Sequence, residues 1–150
     1  MKVSYEFIVH SSQFIEIKMN KVKSFENLIV WQKARILCDY IHKYILSQRH
    51  LNDFPFMNQI NKSSGSVMDN IAEGFGRKGN REFANFLMIA NGSLMEVKSQ
   101  LYRALDRKYI EVDTFNLIFG TASEIEKMIY AFLKHISLSD LKGQKFAIRE

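Results

Sequence analysis

The sequence predicts an all-α protein that folds as an up-down-up-down antiparallel four-helix bundle. Apolar residues recur at spacings of three and four in four successive stretches, which is the pattern of amphipathic helices. The chain of 150 residues contains a single proline, a residue that breaks helix interiors. Only short polar segments separate the four stretches, and short connections place successive helices antiparallel. A chain of this length forms one domain with a full hydrophobic core.

The first two helices are predicted on either side of a short polar turn. Helix one runs from Leu28 to about Arg49, and its apolar face consists of Trp31, Ala34, Leu37, Cys38, Ile41 and Ile45. Helix two starts at Pro55, because a missing amide hydrogen costs nothing in the first turn of a helix. Its apolar face consists of Phe56, Ile60, Val67, Ile71 and Phe75, with small residues at 63–66 that permit close packing. Because glycine adopts left-handed backbone readily, a helix C-cap and a loop are predicted at Gly74, Gly76 and Gly79.

The third and fourth helices have the strongest periodicity. Asn80 is the predicted N-cap of helix three, whose apolar face consists of Phe83, Phe86, Leu87, Ala90, Leu94, Val97, Leu101 and Leu105. Glu111 and Asp113 lie where carboxylates favour a helix start. The apolar face of helix four consists of Phe115, Ile118, Phe119, Ala122, Ile125, Ile129, Phe132 and Ile136.

Two terminal segments fall outside the predicted bundle, which spans residues 24–138. Residues 1–23 are a poorly determined N-terminal arm, in which alternating apolar residues favour a short hairpin. An arm used in assembly and a translation start at Met19 are the alternatives. Residues 139–150 are predicted to be a mobile basic tail.

Composition restricts the class of protein and of partner. The lone cysteine, Cys38, cannot form an internal disulfide. No apolar run approaches the roughly 20 residues that a membrane span needs. We therefore expect a soluble, cytoplasmic protein. The net charge of +5 and the sequence pI of about 9.3 favour polyanionic partners such as RNA or DNA.

Four segments together carry a family resemblance. They are residues 25–34 (FENLIVWQKA), 59–60 (QI), 70–77 (NIAEGFGR) and 92–96 (GSLME). In this order and spacing they resemble the four-helix-bundle proteins encoded in 23S rRNA intervening sequences, the S23 family. The resemblance implies small helical bundles that assemble as ring-shaped homopentamers. It extends to the accessory protein of diversity-generating retroelements, which is associated with nucleic-acid binding.

Four polar residues within these segments form a candidate structural cluster: Gln59, Asn70, Glu73 and Glu96. Glu73 on helix two and Glu96 on helix three face each other if the two helices pack side by side. A pair of carboxylates at close range serves acid–base catalysis when burial raises one pKa. The favoured alternative is a hydrogen-bond network that holds the register of the two helices.

No other pattern indicates a catalytic, metal or cofactor site. A di-iron bundle needs a Glu-x-x-His pair on each of two helices, and neither His42, three residues after Asp39, nor His135 provides one. Arg35 and His42 are seven residues apart on one helix, a spacing that loosely resembles the signature of a metal-independent helical RNase class; solvated side chains are the favoured interpretation. The glycines after helix two lack the preceding strand and the Gly-Lys-Ser/Thr ending of a phosphate-binding loop.

Topology concentrates positive charge at one end of the predicted bundle. The start of helix one, the loop between helices two and three and the end of helix four share this end. Its basic residues are Lys18, Lys21, Lys23, Arg77, Lys78, Arg81, Lys134, Lys142 and Lys145. They outnumber the acidic residues Glu26, Glu82 and Asp140.

The sequence therefore predicts a non-catalytic, homo-oligomeric helical bundle without cofactors that binds RNA or DNA through a basic end. The residues expected to contact nucleic acid are Arg77, Lys78, Arg81, Lys21, Lys23, Lys142 and Lys145. The alternatives are a structural or protein-interaction module and, remotely, an RNase.

Overall fold

The protein is a bundle of four helices, seen in a computed structural model that describes residues 22–147 and, for side chains, residues 22–137. A 3-10 turn at Phe25–Asn27 precedes the first helix. The helices are α1 (Ile29–Ile41, continued by the π-helical segment His42–Leu46), α2 (Phe54–Gly76), α3 (Asn80–Asp106) and α4 (Val112–Ala147). All regular structure in the described part is helical, which confirms the predicted class; the predicted N-terminal hairpin lies outside the described residues.

The helices pack in the order of the chain. Contacts join α1 to α2, α2 to α3, α3 to α4, and α4 back to α1, as in an up-down-up-down bundle. The core between them is built from the predicted apolar faces. Side chains without any exposed surface include Leu37, Ile41, Ile60, Ile71, Leu87, Leu94, Leu101, Ile118, Ile125 and Ile129.

Two predicted helix starts differ from the structure by one residue. Helix α2 begins at Phe54, with Asp53 as its N-cap, whose carboxylate accepts a hydrogen bond from the Phe56 amide at 3.2 Å. Pro55 therefore lies within the first turn, where it is tolerated. The prediction of Asn80 as the N-cap of α3 is wrong, since Asn80 is the first helical residue and the preceding Gly79 has extended backbone.

The prediction of left-handed glycines after α2 is also wrong. No described glycine has a positive φ, and the left-handed residue in this loop is Lys78, with φ of 60°. Gly74 lies inside α2 and is buried. A Cβ at Gly74 would lie 2.5 Å from the Cβ of Phe86 on α3. This glycine is needed for the close approach of two helices and not for a turn.

The last helix is longer than its apolar periodicity suggests. The predicted face ends at Ile136, yet the backbone of α4 remains helical to Ala147. The segment expected to form a basic tail therefore begins in helical conformation. The division of the chain into an arm, a bundle and a tail stays a prediction.

Candidate nucleic-acid interface

Aromatic contacts bring three helices together at one end of the bundle. The ring of Phe83, near the start of α3, meets Phe75 at the end of α2 edge-on, with centroids 6.2 Å apart. The same ring meets Phe132 of α4 at 5.8 Å. Before α1, the 3-10 turn at Phe25–Asn27 contacts α2, and in this antiparallel pair the start of α1 lies beside the end of α2. The basic residues next to these rings and this turn in sequence therefore share one end of the molecule.

We call the exposed basic side chains at this end the basic pole. It consists of Lys23, Arg77, Lys78, Arg81 and Lys134. The predicted members Lys18 and Lys21, and the side chains of Lys142 and Lys145, lie outside the described part of the chain. Their contribution to this end stays a prediction.

Arg77 differs from the rest of the basic pole because its charge is already paired. Its Nη2 donates to Glu73 Oε1 at 2.9 Å, one turn earlier on α2. The hydrogen bond and negative charge of Glu73 raise the pKa of the guanidinium. Its carbon Cζ also lies 5.6 Å from the centre of the Phe86 ring. Arg77 is therefore held in place and contributes less free charge than its position suggests.

The other four basic residues of the pole are exposed and make no ion pair with any described side chain. The pole contains five basic side chains against the carboxylates of Glu26, Glu73 and Glu82, a surplus of two positive charges. The balance of charges predicted from the sequence for this end did not include Glu73, which pairs with Arg77. The spacing of four residues between Glu73 and Arg77 was the sequence signal for this pair.

At the opposite end of the bundle, Asp53 at the start of α2 is bonded to the loop between α3 and α4. Asp53 accepts hydrogen bonds from Tyr109 Oη and Arg107 Nη1, both at 2.8 Å. These partners, led by the Tyr109 hydroxyl and the amide of Phe56, lower the pKa of Asp53. This end is consequently organised by local hydrogen bonds.

The four residues of the predicted polar cluster do not meet at one point. Glu96 Oε2 lies 3.0 Å from Ser63 Oγ on α2, and no contact joins Glu96 to Glu73. Gln59 accepts a hydrogen bond from Arg103 Nη2 at 2.9 Å. Asn70 donates to the backbone oxygen of Ser66 at 2.7 Å. The four residues therefore take part in separate helix contacts, and the described residues contain no acid–base pair of carboxylates among them.

Serine hydroxyls carry several of the polar contacts between α2 and α3, although the sequence predicted only close packing for residues 63–66. The hydroxyls of Ser66 and Ser93 are 2.9 Å apart. The Ser63 hydroxyl contacts Glu96 and accepts from Gln100 Nε2 at 3.0 Å. Gln100 is only 7% exposed, and its Oε1 has no hydrogen-bond partner among the described residues. Small polar residues at 63–66 were the available signal, because the small volume of serine lets its hydroxyl reach across a close helix interface.

The remaining candidates for chemistry are dispersed. Arg35 is exposed, 6.0 Å from the Trp31 ring centre, and makes no contact with His42, which lies in the π-helical segment. Cys38 is half-buried, and this burial raises the pKa of its thiol. Within residues 22–137 no three His, Cys, Asp or Glu side chains are grouped as metal ligands would be.

None of the helices, as far as they are described, is long and apolar enough to cross a membrane.

Comparison with known proteins connects this fold to a family. The family model of the 23S rRNA-intervening sequence protein matches residues 26–131, which covers most of the bundle. The chain belongs to this family. This confirms the family resemblance predicted from the four segments; the further likeness to the accessory protein of diversity-generating retroelements stays a prediction.

A solved structure has the same fold as this family member. It is a protein of unknown function from the S23 ribosomal protein family of Bacteroides thetaiotaomicron. The two chains are 23% identical, with a TM-score of 0.64, and the match covers 71% of this chain and 99% of the other. At this level of identity the likeness concerns the fold. A comparison with curated proteins finds no match.

Proposed function

We propose that the protein is a non-catalytic, homo-oligomeric helical bundle that binds RNA or DNA electrostatically through its basic pole. The observation that carries this proposal is the convergence of Lys78, Arg81 and Lys134 at one end, each exposed and without an acidic partner among the described side chains. Cations without an acidic partner displace the counterions of a phosphate backbone, and the entropy of their release drives binding.

Oligomerisation strengthens this function. A closed ring repeats the same pole once per copy around one face, so that weak contacts in each subunit add up along a single strand. The family resemblance leads us to expect five copies. Binding of this kind follows the backbone and requires no recognition of base sequence.

The test measures fluorescence anisotropy of a labelled 20-nucleotide RNA and of DNA of the same sequence. The pole variant combines Lys78→Glu, Arg81→Glu and Lys134→Glu. We expect its affinity at 50 mM salt to fall at least about tenfold. If each of the three side chains contacts one phosphate, the slope of log affinity against log salt also falls by about two to three.

A matched control combines Lys43→Glu, Lys62→Glu and Lys108→Glu, which change the net charge equally away from the pole. We expect this control to lose less affinity than the pole variant. Equal losses would mean that overall charge, and not the pole, attracts the nucleic acid. No binding by the wild-type protein at low salt would refute the proposal altogether.

The pairing of Arg77 with Glu73 allows a finer comparison within the pole. Arg81→Gln removes an unpaired charge, whereas Arg77→Gln removes a charge that a carboxylate at 2.9 Å already balances. We therefore expect Arg81→Gln to weaken binding more than Arg77→Gln does. The opposite order would show that the nucleic acid displaces Glu73 and uses Arg77 directly.

A further inference from the structure

A stripe of uncharged residues runs along the outer surface of α3. Met88, Met95 and Tyr102 follow one another at intervals of seven residues and are 55%, 36% and 52% exposed. Gly92 and Ser99 lie between them on the same face, because residues four and seven apart share a face of a helix. Large and small side chains thus alternate along the stripe. Helix α3 therefore has a second apolar face in addition to the one buried in the core.

Residues of α4 widen this stripe into a continuous surface. The Tyr102 ring packs against Phe119 of α4, with centroids 5.5 Å apart. Tyr130, eleven residues after Phe119 and on the same side of α4, is 54% exposed. We call the surface formed by Met88, Met95, Tyr102, Phe119 and Tyr130 the α3–α4 face.

The charged side chains between the two helices cancel each other. Lys98 Nζ and Glu126 Oε2 are 2.5 Å apart, and the side chains are only 16% and 24% exposed. The ammonium of Lys98 also lies 4.7 Å from the centre of the Phe119 ring. Most of the desolvation cost of this ion pair is therefore already met within the single chain, and covering the α3–α4 face adds little to that cost.

The other exposed side of α3 carries charged side chains that a partner would cover. Ile89 is 52% exposed, as much as Tyr102. It is followed at intervals of seven residues by Glu96 and Arg103, both of which face α2. Burial of the Ile89 side under a partner would cover these charged groups as well. Exposure of single apolar residues thus does not distinguish the two sides, whereas the charge pattern does.

We infer that the α3–α4 face is the surface through which one copy of this chain binds another. Copies that each carry a net charge of +5 repel one another least where they meet without unpaired charge. Exposed cations begin only at the end of the face that adjoins the basic pole, with Arg81 seven residues before Met88 and Lys134 one turn after Tyr130. An uncharged face with alternating large and small residues is complementary to a helix of the same kind, and the chain itself supplies one. The inference rests on the homo-oligomeric part of the proposed function and specifies its contact surface.

The test compares Met88→Glu with Ile89→Glu in the full chain. The two substitutions introduce the same charge at neighbouring positions of one helix with nearly equal exposure. Light scattering after size exclusion and sedimentation equilibrium measure the assembly. We expect Met88→Glu to raise the dissociation constant by about thirtyfold or more, the size of a central interface residue, and Ile89→Glu to change it less than about threefold.

Several outcomes overturn the inference. If neither variant changes the assembly, or if Ile89→Glu disrupts it as much, the copies meet through another surface while the homo-oligomer itself stands. A wild-type chain that is monomeric at about 100 μM refutes the oligomeric part of the proposed function and this inference with it. Circular dichroism checks that each variant stays helical, and Met88→Gln, of nearly unchanged shape, replaces the glutamate variant if that one unfolds.

Salt separates the two kinds of contact independently of any substitution. An apolar contact persists or strengthens from 50 to 500 mM salt, whereas binding to a phosphate backbone weakens steeply. We therefore expect the wild-type assembly to keep its mass at the higher salt concentration. An assembly that dissociates as salt rises is held by charges and contradicts the assignment to the α3–α4 face.

Discussion

Replacing Gly74 by alanine tests how closely α2 and α3 approach each other. The added Cβ would lie 2.5 Å from Phe86 Cβ and 3.1 Å from Phe83 Cδ2. The Phe83 ring can turn aside, since it is the far end of a side chain. The Cβ of Phe86 is bonded directly to the backbone of α3 and cannot rotate away. The helices must therefore separate by about 1 Å to reach ordinary carbon–carbon contact.

Two opposing effects determine the size of the change. Overpacking a core contact costs typically about 1–3 kcal/mol, and a rigid neighbour places Gly74→Ala toward the upper end. Alanine in place of glycine inside a helix recovers about 1 kcal/mol. We expect a net loss of about 1–2 kcal/mol in the free energy of unfolding. For a chain of this size the melting temperature falls by about 2–8 °C.

Gly65→Ala is the matched control, because Gly65 lies in the same helix with nothing within 4 Å of an added Cβ. We expect this variant to gain up to about 1 kcal/mol from helix propensity alone. Urea unfolding followed by circular dichroism, at one fixed protein concentration, measures both variants. If Gly74→Ala is as stable as Gly65→Ala, the two helices are farther apart than described and the role assigned to Gly74 is wrong.

Three further predictions concern two loop residues, the stability of the fold at acid pH and the hydrophobic core. Lys78→Gly and Lys108→Gly should each raise the free energy of unfolding in urea by about 1 kcal/mol. Both lysines have a positive φ, and left-handed backbone is unfavourable for a residue with a side chain. No gain at either position would contradict the backbone conformation described for these loops. Because the pKa of Asp53 is lowered in the folded state, its stabilising effect is complete above the usual carboxyl range, near pH 5, and is lost as pH falls through the folded pKa. The melting temperature of Asp53→Asn should therefore lie below that of the wild type at pH 6, and the difference should shrink as pH falls below the usual range of an Asp carboxyl. A difference that stays constant at every pH would exclude this titration, in which the Tyr109 hydroxyl is the leading partner. Leu94→Ala should cost about 2–5 kcal/mol in the same urea assay, since Leu94 is fully buried, and a cost below about 1 kcal/mol would remove Leu94 from the core.

The helices and the core followed from local periodicity. Leu37, Ile60, Leu94 and Ile118 were predicted on apolar faces, and each is fully buried. A helix repeats every 3.6 residues wherever it lies, so a face marked by apolar residues needs only neighbours within the same stretch to be recognised. The family was predicted in the same way, because each of its four segments is a short run of residues that is recognised without knowing how the helices pack.

Contacts between helices required the register of one helix against another. Glu96 was expected near Glu73 and lies instead beside Ser63, while Glu73 pairs with Arg77 on its own helix. The periodicity of each helix says which face is buried. It does not say how far one helix is shifted along its neighbour, and a shift of one turn exchanges every polar partner.

By itself, the sequence determined four helices, their buried faces, the family and the end at which basic residues collect. Only the tertiary structure decided that Gly74 serves a close helix approach and that Glu96 lies beside Ser63 instead of Glu73. The first group depends on the order of residues along one helix. The second depends on distances of a few ångströms between particular atoms, and those distances are known only when the helices have packed.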